Sequence, residues 1–162
     1  MEFVIENYRL RATEDGRIER FWKANKKKPD RWTEIKGKKN NRNYLHIELS
    51  LTSRRRNFLI HRLVYLAHNQ DWDIYDTKQL IDHGDRNRSN NKIKNLTLVT
   101  HEENTWNTDA KGYCWCKKTQ KWKPMIRHKG KLINLGSFDT EEEARQAYLD
   151  AKAIYHVIQE EL

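Results

Sequence analysis

Apolar residues in the first 60 positions recur at the period of strands. ENYRLRATEDGRIERFW sets its apolar residues at short intervals around the turn signal Asp15-Gly16, and NYLHIELS alternates Leu45, Ile47 and Leu49 as a half-buried strand does. Between them, KANKKKPDRWTEIKGKKNNRN is polar and basic, which predicts a loop or a flexible arm facing phosphate. HRLVYLAHN changes the period: Leu63, Val64, Leu66 and Ala67 group on one side of a short helix. The apolar run QLI then stops at Asp82-His83. After the polar DRNRSNN, KIKNLTLVT is again strand-like, and Thr100 with Glu103 has the capping-box spacing that opens a helix. The order is strand, loop, strand, helix, with polar groups at the junctions.

Beyond the linker TDAKG the pattern restarts. GYCWCKK, KWKPMIRH and KLINLGSF are three strand-sized segments joined by turns, and TEEEARQAYLDAKAIYHVIQEEL follows as a helix, with Ala144, Ala147, Tyr148, Ala151 and Tyr155 at helical spacing. Thr140 and Glu143 repeat the capping box. The 162 residues suit one ordinary domain or two small ones. The restart predicts two, 1–107 and 108–162, of the α+β class.

Composition adds a partner. Hydrophobic residues make up 36% and charged residues 34%, so each core is modest, anchored by six Trp, seven Tyr and four Phe. A net charge of +9 implies a polyanionic partner. The charge is concentrated: Arg17 to Arg62 holds 15 Lys or Arg against four Asp or Glu, and Thr108 to Phe138 holds eight against one. From Asp139 onward the balance is seven acidic to two basic, so that segment is expected to face away from phosphate. No apolar stretch has the length of a membrane span, and MEFVIENYRL lacks the regions of a signal peptide, which together predict no membrane association and a cytoplasmic location. Cys114 and Cys116, one residue apart with no second pair, are expected to be reduced thiols rather than a zinc site.

LIDHGDRNRSNNKIKNL and THEENTWN hold the candidate chemistry. Adjacent residues at a strand end point in opposite directions, so Asp82 can ligate a cation while His83 reaches a water. Asn104, on the following helix, could add an amide oxygen. Phosphodiester hydrolysis needs an activated water, charge stabilisation at phosphorus and help for the leaving oxygen. A neutral His can supply the first and one hard divalent cation the other two. Oxygen ligands suit magnesium or manganese. The spacing alone equally fits an Asn-rich loop serving turn geometry.

HRLVYLAHN followed by LIDHGDRNRSNNKIKNLTLVTHEENTWN resembles the HNH homing endonucleases of phages and group I introns, and the two strands upstream of HRLV resemble the region that precedes it in those proteins. The resemblance implies a ββα-metal fold. It makes Asp82 and Asn104 the protein ligands of a single Mg2+ or Mn2+ ion, His83 the general base, and Asn95 the residue that ties the intervening loop and positions the base. His61 and Arg62 match a recurring HR pair, with His61 expected to be structural. His68 and His101 are expected to be structural or at the surface. Many relatives have Gly a few residues after the DH pair where this chain has Arg86, which bears on the contacts of that loop.

GYCWCKKTQKWKPMIRHKGKLINLGSFDTEEEARQAYLDA resembles the APETALA or ethylene-response-factor DNA-binding domain, through GY.W, KW, LGSFDTEEEA and AY. The resemblance implies a three-stranded sheet in the major groove with a helix bracing its back. Alternation independently sets Trp122, Pro124 and Ile126 on one face and Lys121, Lys123, Met125 and Arg127 on the other. The expected DNA contacts are Lys118, Lys121, Lys123, Arg127, Lys131 and Asn134, with Arg54, Arg55 and Arg56 from the first half. Trp115 could equally pack on the helix or lie against the sugar-phosphate backbone. Together these features predict a monomeric, phage-type endonuclease acting on double-stranded DNA in a bacterial host. The alternatives are a non-catalytic DNA-binding protein derived from such a nuclease and a dimeric HNH restriction enzyme.

Overall fold

The structure is a computed structural model in which residues 1–157 are described. The chain packs as two compact units, Met1–Thr100 and from His101 onward. Both are mixed α/β, with small antiparallel sheets and few helices.

The first unit begins with a four-stranded antiparallel sheet of β1 (Glu2–Ile5), β2 (Tyr8–Ala12), β3 (Ile18–Trp22) and β4 (Arg31–Glu34), in that order. Alternation decides its faces. Tyr8, Leu10 and Ala12 are buried, while Arg9 is exposed and Arg11 half-buried. On the outer face Arg9 pairs with Glu2 and Arg11 with Glu19, and Arg17, from the β2–β3 turn, pairs with Asp15 and Glu34. The Arg9 guanidinium also lies 4.6 Å from the Phe21 ring, as Arg11 does from Trp32.

A second sheet contains β5 (Lys38–Lys39), β6 (Leu45–Ser50) and β7 (Arg55–Leu59), and it leads directly into α1 (Ile60–His68). Leu63, Val64 and Ala67 of α1 are fully buried, in one core with Leu10, Ile18, Ile47, Leu49 and Phe58. The segment expected to be a loop therefore contains β4 and β5. Their polar side chains gave no alternation to read, and their order comes from backbone pairing, β4 against β3 and β5 against β6. Arg62 ties the next loop onto α1: its guanidinium donates to the carbonyls of Ile74 (2.7 Å) and Asp76 (2.8 Å) and lies over the Trp72 ring.

The unit closes with β8 (Leu80–His83) paired antiparallel to β9 (Leu96–Val99). Ile81, Leu96 and Val99 face inward, so the hairpin's base is anchored while its polar connection, 84–95, lies outside.

The second unit starts with a short helix, α2 (His101–Asn104), then β10 (Tyr113–Cys116), β11 (Lys121–His128) and β12 (Lys131–Asn134) in one antiparallel sheet, and α3 (Glu141–Tyr155). Trp106 stacks on His156 with ring centroids 4.8 Å apart and planes 3° apart, and Glu102 accepts a hydrogen bond from the Gly130 N–H. These contacts hold 101–107, which the sequence groups with the first half, within this unit. Thr140 and Glu143 form a reciprocal capping box at the start of α3. Gly112, at φ +77°, has no alternative: a Cβ there would lie 2.1 Å from the Tyr148 ring. Tyr148 is in turn part of the small core with Ile126 and Ala151.

Candidate nuclease site

Strand β8 carries Asp82 and His83 outward to its end, and alternation separates them. Asp82 is half-buried, while His83 is turned inward and only 2% exposed. The His83 ring is held on several sides. Its Nε2 lies 3.1 Å from Oδ1 of Asn91, itself 3% exposed. The ring of His61, the second residue of α1, meets it edge-on at 5.0 Å, and that of Tyr44 lies at 5.9 Å. With an amide oxygen facing Nε2, that nitrogen carries the proton and donates, so Nδ1 carries the lone pair of the neutral imidazole. That is the form a general base requires.

His61 is 4% exposed. Burial, helped by the positive charges of His83 and Arg62 when protonated, lowers its pKa to about 3. It is therefore a neutral ring at working pH. Its Nδ1 has no hydrogen-bond partner among the described residues.

Asn95 ties the connection between the two strands. Its Nδ2 donates to Asp85 Oδ1 (2.9 Å) and to the Asn90 carbonyl (2.8 Å), its Oδ1 accepts from the Asp85 N–H (3.0 Å), and its own carbonyl accepts from the Gly84 N–H. Asp85 also receives Nδ2 of Asn90 and the Asn87 N–H. These bonds, from Asn90, Asn87 and Asn95 in that order, hold its carboxyl below the usual carboxylate range. Arg86, the departure from the usual Gly, stands at φ +61°, a left-handed position that Gly adopts without cost. Arg88 reaches back to the carbonyl of Arg42 and lies over the Tyr44 ring.

The first unit carries Asp82, His83 and Asn95 on the β8–β9 hairpin, with Asn91 and His61 against the His83 ring. Asn104 stands half-buried on α2 in the second unit. Asn91 escaped the sequence reading because it is one of several Asn in RNRSNN, and only its burial sets it apart. Arg54 and Arg55 are exposed, Arg55 near Glu48, while the Arg56 guanidinium lies 4.2 Å from the Tyr75 ring.

In the second unit, pairing of Cys114 with Lys123, Cys116 with Lys121 and Met125 with Asn134 puts these residues on one face, which Arg127 shares. Lys121 is paired with Asp139 at 3.1 Å. Trp115 lies opposite Trp122 on the other face, 45% exposed and edge-on to Trp122 at 5.1 Å. Lys131, opposite His128, has the register of that other face, and Lys118 lies in the exposed β10–β11 turn. Cys114 and Cys116 are free thiols; Thr119, through its side chain and backbone, is the main influence lowering the Cys116 pKa to about 7.

In the first unit, two antiparallel strands carry an Asp-His pair at the end of one and an Asn-clamped connection between them. Residues 58–105 match the sequence profile of HNH endonucleases, and this chain belongs to the HNH endonuclease family. Protein 3.8 of Escherichia phage T7 is 30% identical over 83 residues, which span 46% of this chain and 69% of that protein. A solved structure describing DNA binding and cleavage by the HNH homing endonuclease I-HmuI is similar over 78% of this chain and 70% of its own, at 22% identity and a TM-score of 0.46.

Proposed function

We propose that the chain is a metal-dependent endonuclease of the homing type, which hydrolyses phosphodiester bonds in double-stranded DNA. The observation that carries this reading is the Nε2 contact of His83 with Asn91, which leaves the lone pair of the neutral ring on Nδ1. In this role His83 takes the proton of the attacking water. Asn95 keeps the strand connection in one geometry, so that the imidazole does not have to be ordered when substrate arrives.

The donor set suits a hard divalent cation. Asp82 offers carboxylate oxygens, and the family motif adds Asn104 as an amide donor. Among the described residues no group of three or more His, Cys, Asp or Glu comes together, so water and phosphate oxygens would complete the shell, a common arrangement for magnesium. When bound, such an ion supplies charge stabilisation at the phosphorus and the leaving oxygen. Placement on DNA falls to the cationic face of the second unit, read as an APETALA-type module, and to the Arg54–Arg56 turn. Helix α3, with its acidic first turn, braces the back of that sheet.

The test is cleavage of duplex DNA by purified protein with magnesium or manganese, with His83→Ala alongside. The expected result is a loss of about 10²- to 10⁴-fold at saturating DNA, with DNA affinity retained. One observation favours a second reading, that of a DNA-binding protein without cleavage: His83 is 2% exposed, and a hydrolytic water must still reach it. Unchanged cleavage in His83→Ala refutes the assignment of the base, and no cleavage by the wild type with either metal supports the second reading.

A further inference from the structure

The turn between β2 and β3 lies far in sequence from the connection that follows the DH motif but against it in space. Gly16 stands at φ +81°, and a Cβ there would lie 2.3 Å from the carbonyl carbon of Asn91, 2.4 Å from its oxygen and 2.8 Å from the Lys92 nitrogen. These neighbours are backbone atoms, which cannot swing aside as a side-chain end can. The peptide that presents Asn91 is therefore seated directly on the Gly16 turn. The turn is itself braced: Thr13 Oγ accepts from the Arg17 N–H at 3.0 Å, and the Gly16 N–H donates to the Thr13 carbonyl at 3.0 Å.

We infer that Asn91 is a positioning residue that fixes the tautomer of His83, and that the Gly16 turn is its backstop, so that the N-terminal sheet sets the geometry of the base. This rests on the reading of His83 as the base of a nuclease. The chain of contacts is short: the Gly16 backbone seats the Asn91 peptide, Asn91 Oδ1 accepts from Nε2–H, and the proton held there keeps the lone pair on Nδ1. His61 and Tyr44 hold the ring's flanks. Loss of the Asn91 amide removes the acceptor facing Nε2, and enlargement of Gly16 displaces the peptide that carries it.

The experiment reads the imidazole nitrogens of His83 in full-length protein, without added metal, by long-range proton–nitrogen correlation at pH 8. The wild type is expected to show a protonated Nε2 and an unprotonated Nδ1. Asn91→Leu, similar in size but without an acceptor, should give mixed tautomers, and Asn91→Asp, which keeps an acceptor oxygen, should restore the wild-type pattern. Gly16→Ala should shift the His83 signals, whereas Gly130→Ala, at φ +74° with nothing within 4 Å, imposes the same backbone cost without the contact and should leave them in place. In the cleavage assay Asn91→Leu should lose about 100-fold in kcat with little change in KM. A wild-type His83 protonated on Nδ1, or an Asn91→Leu protein with wild-type nitrogen signals, overturns the inference; the wild-type measurement alone suffices should a variant fail to fold. If the tautomer results hold but the wild type cleaves no DNA, the nuclease reading falls and the positioning arrangement stands. If His83→Ala abolishes cleavage while Asn91→Leu changes neither signals nor rate, the reverse is true.

Discussion

Burial of His61 makes the stability of the first unit depend on pH in a way that one substitution should remove. The folded pKa is about 3 against about 6.5 in an unfolded chain. The unfolded state therefore binds a proton that the folded state refuses, and stability rises with pH across that interval. The contribution is fully present above about pH 6.5, falls as the pH drops below it, and stops falling near pH 3. From pH 8 to pH 5 the loss is about 2 kcal/mol, at about 1.36 kcal/mol for each pH unit below 6.5. His61→Phe keeps an aromatic ring against Tyr44 and His83 but removes the titration. The assay is amide hydrogen exchange at Leu63, Val64 and Ala67, buried residues of α1, corrected for intrinsic rates. Wild type should lose about 2 kcal/mol more opening free energy between the two pH values than the variant does. Equal losses in the two proteins would show that the His61 ring is solvated or already charged, and the burial reasoning would fail.

Other outcomes follow from single contacts. Asn95→Ala removes three side-chain hydrogen bonds within the β8–β9 connection; it should cost about 2 kcal/mol, read from a urea titration followed in the first unit, and lower cleavage as well. Asp82→Ala should raise the magnesium concentration needed for half-maximal cleavage by removing a carboxylate donor, and an unchanged metal titration would remove Asp82 from the ligand set. Gly112→Ala should destabilise the second unit by about 2 kcal/mol or more, because the new methyl meets the Tyr148 ring; undiminished amide protection in α3 would contradict it. Lys123→Ala combined with Arg127→Ala should weaken duplex binding while leaving the rate at saturating DNA nearly intact; unchanged affinity would take that face out of DNA contact.

What could be read from sequence depended on whether a residue's role is local. The hairpin at Asp15-Gly16, helix α1 and the α3 capping box each arise from neighbours in the chain, and all three are present. The facing of β11 was legible because Pro124 and Ile126 alternate with Lys and Arg. Strands β4 and β5 were not, since their residues are half-buried or exposed and carry no hydrophobic period. At the site, Asp82, His83 and Asn95 stand out through the resemblance to the HNH motif, since their spacing alone also fits an Asn-rich turn. Asn91 does not: its importance comes from a peptide seated on Gly16, 75 positions earlier. His61 was expected to be structural, but nothing local reveals that its ring meets His83.

The carboxylates on the N-terminal sheet change what its arginines can do in solution. Arg9, Arg11 and Arg17 each have a Glu or Asp partner in the folded chain, as Lys121 has Asp139 in the second unit. A cation already matched by a protein carboxylate displaces few counterions from a nucleic acid, whereas each phosphate truly neutralised contributes about 0.9 to the slope of log affinity against log salt. For DNA binding as proposed here, the number of ions released should therefore fall well below the count of Lys and Arg on these surfaces. Replacing Glu2 and Glu19 by Gln would steepen the salt dependence wherever the sheet approaches the duplex, so on the proposed reading these acidic residues would limit indiscriminate adhesion to DNA while leaving the aromatic and guanidinium surfaces in place.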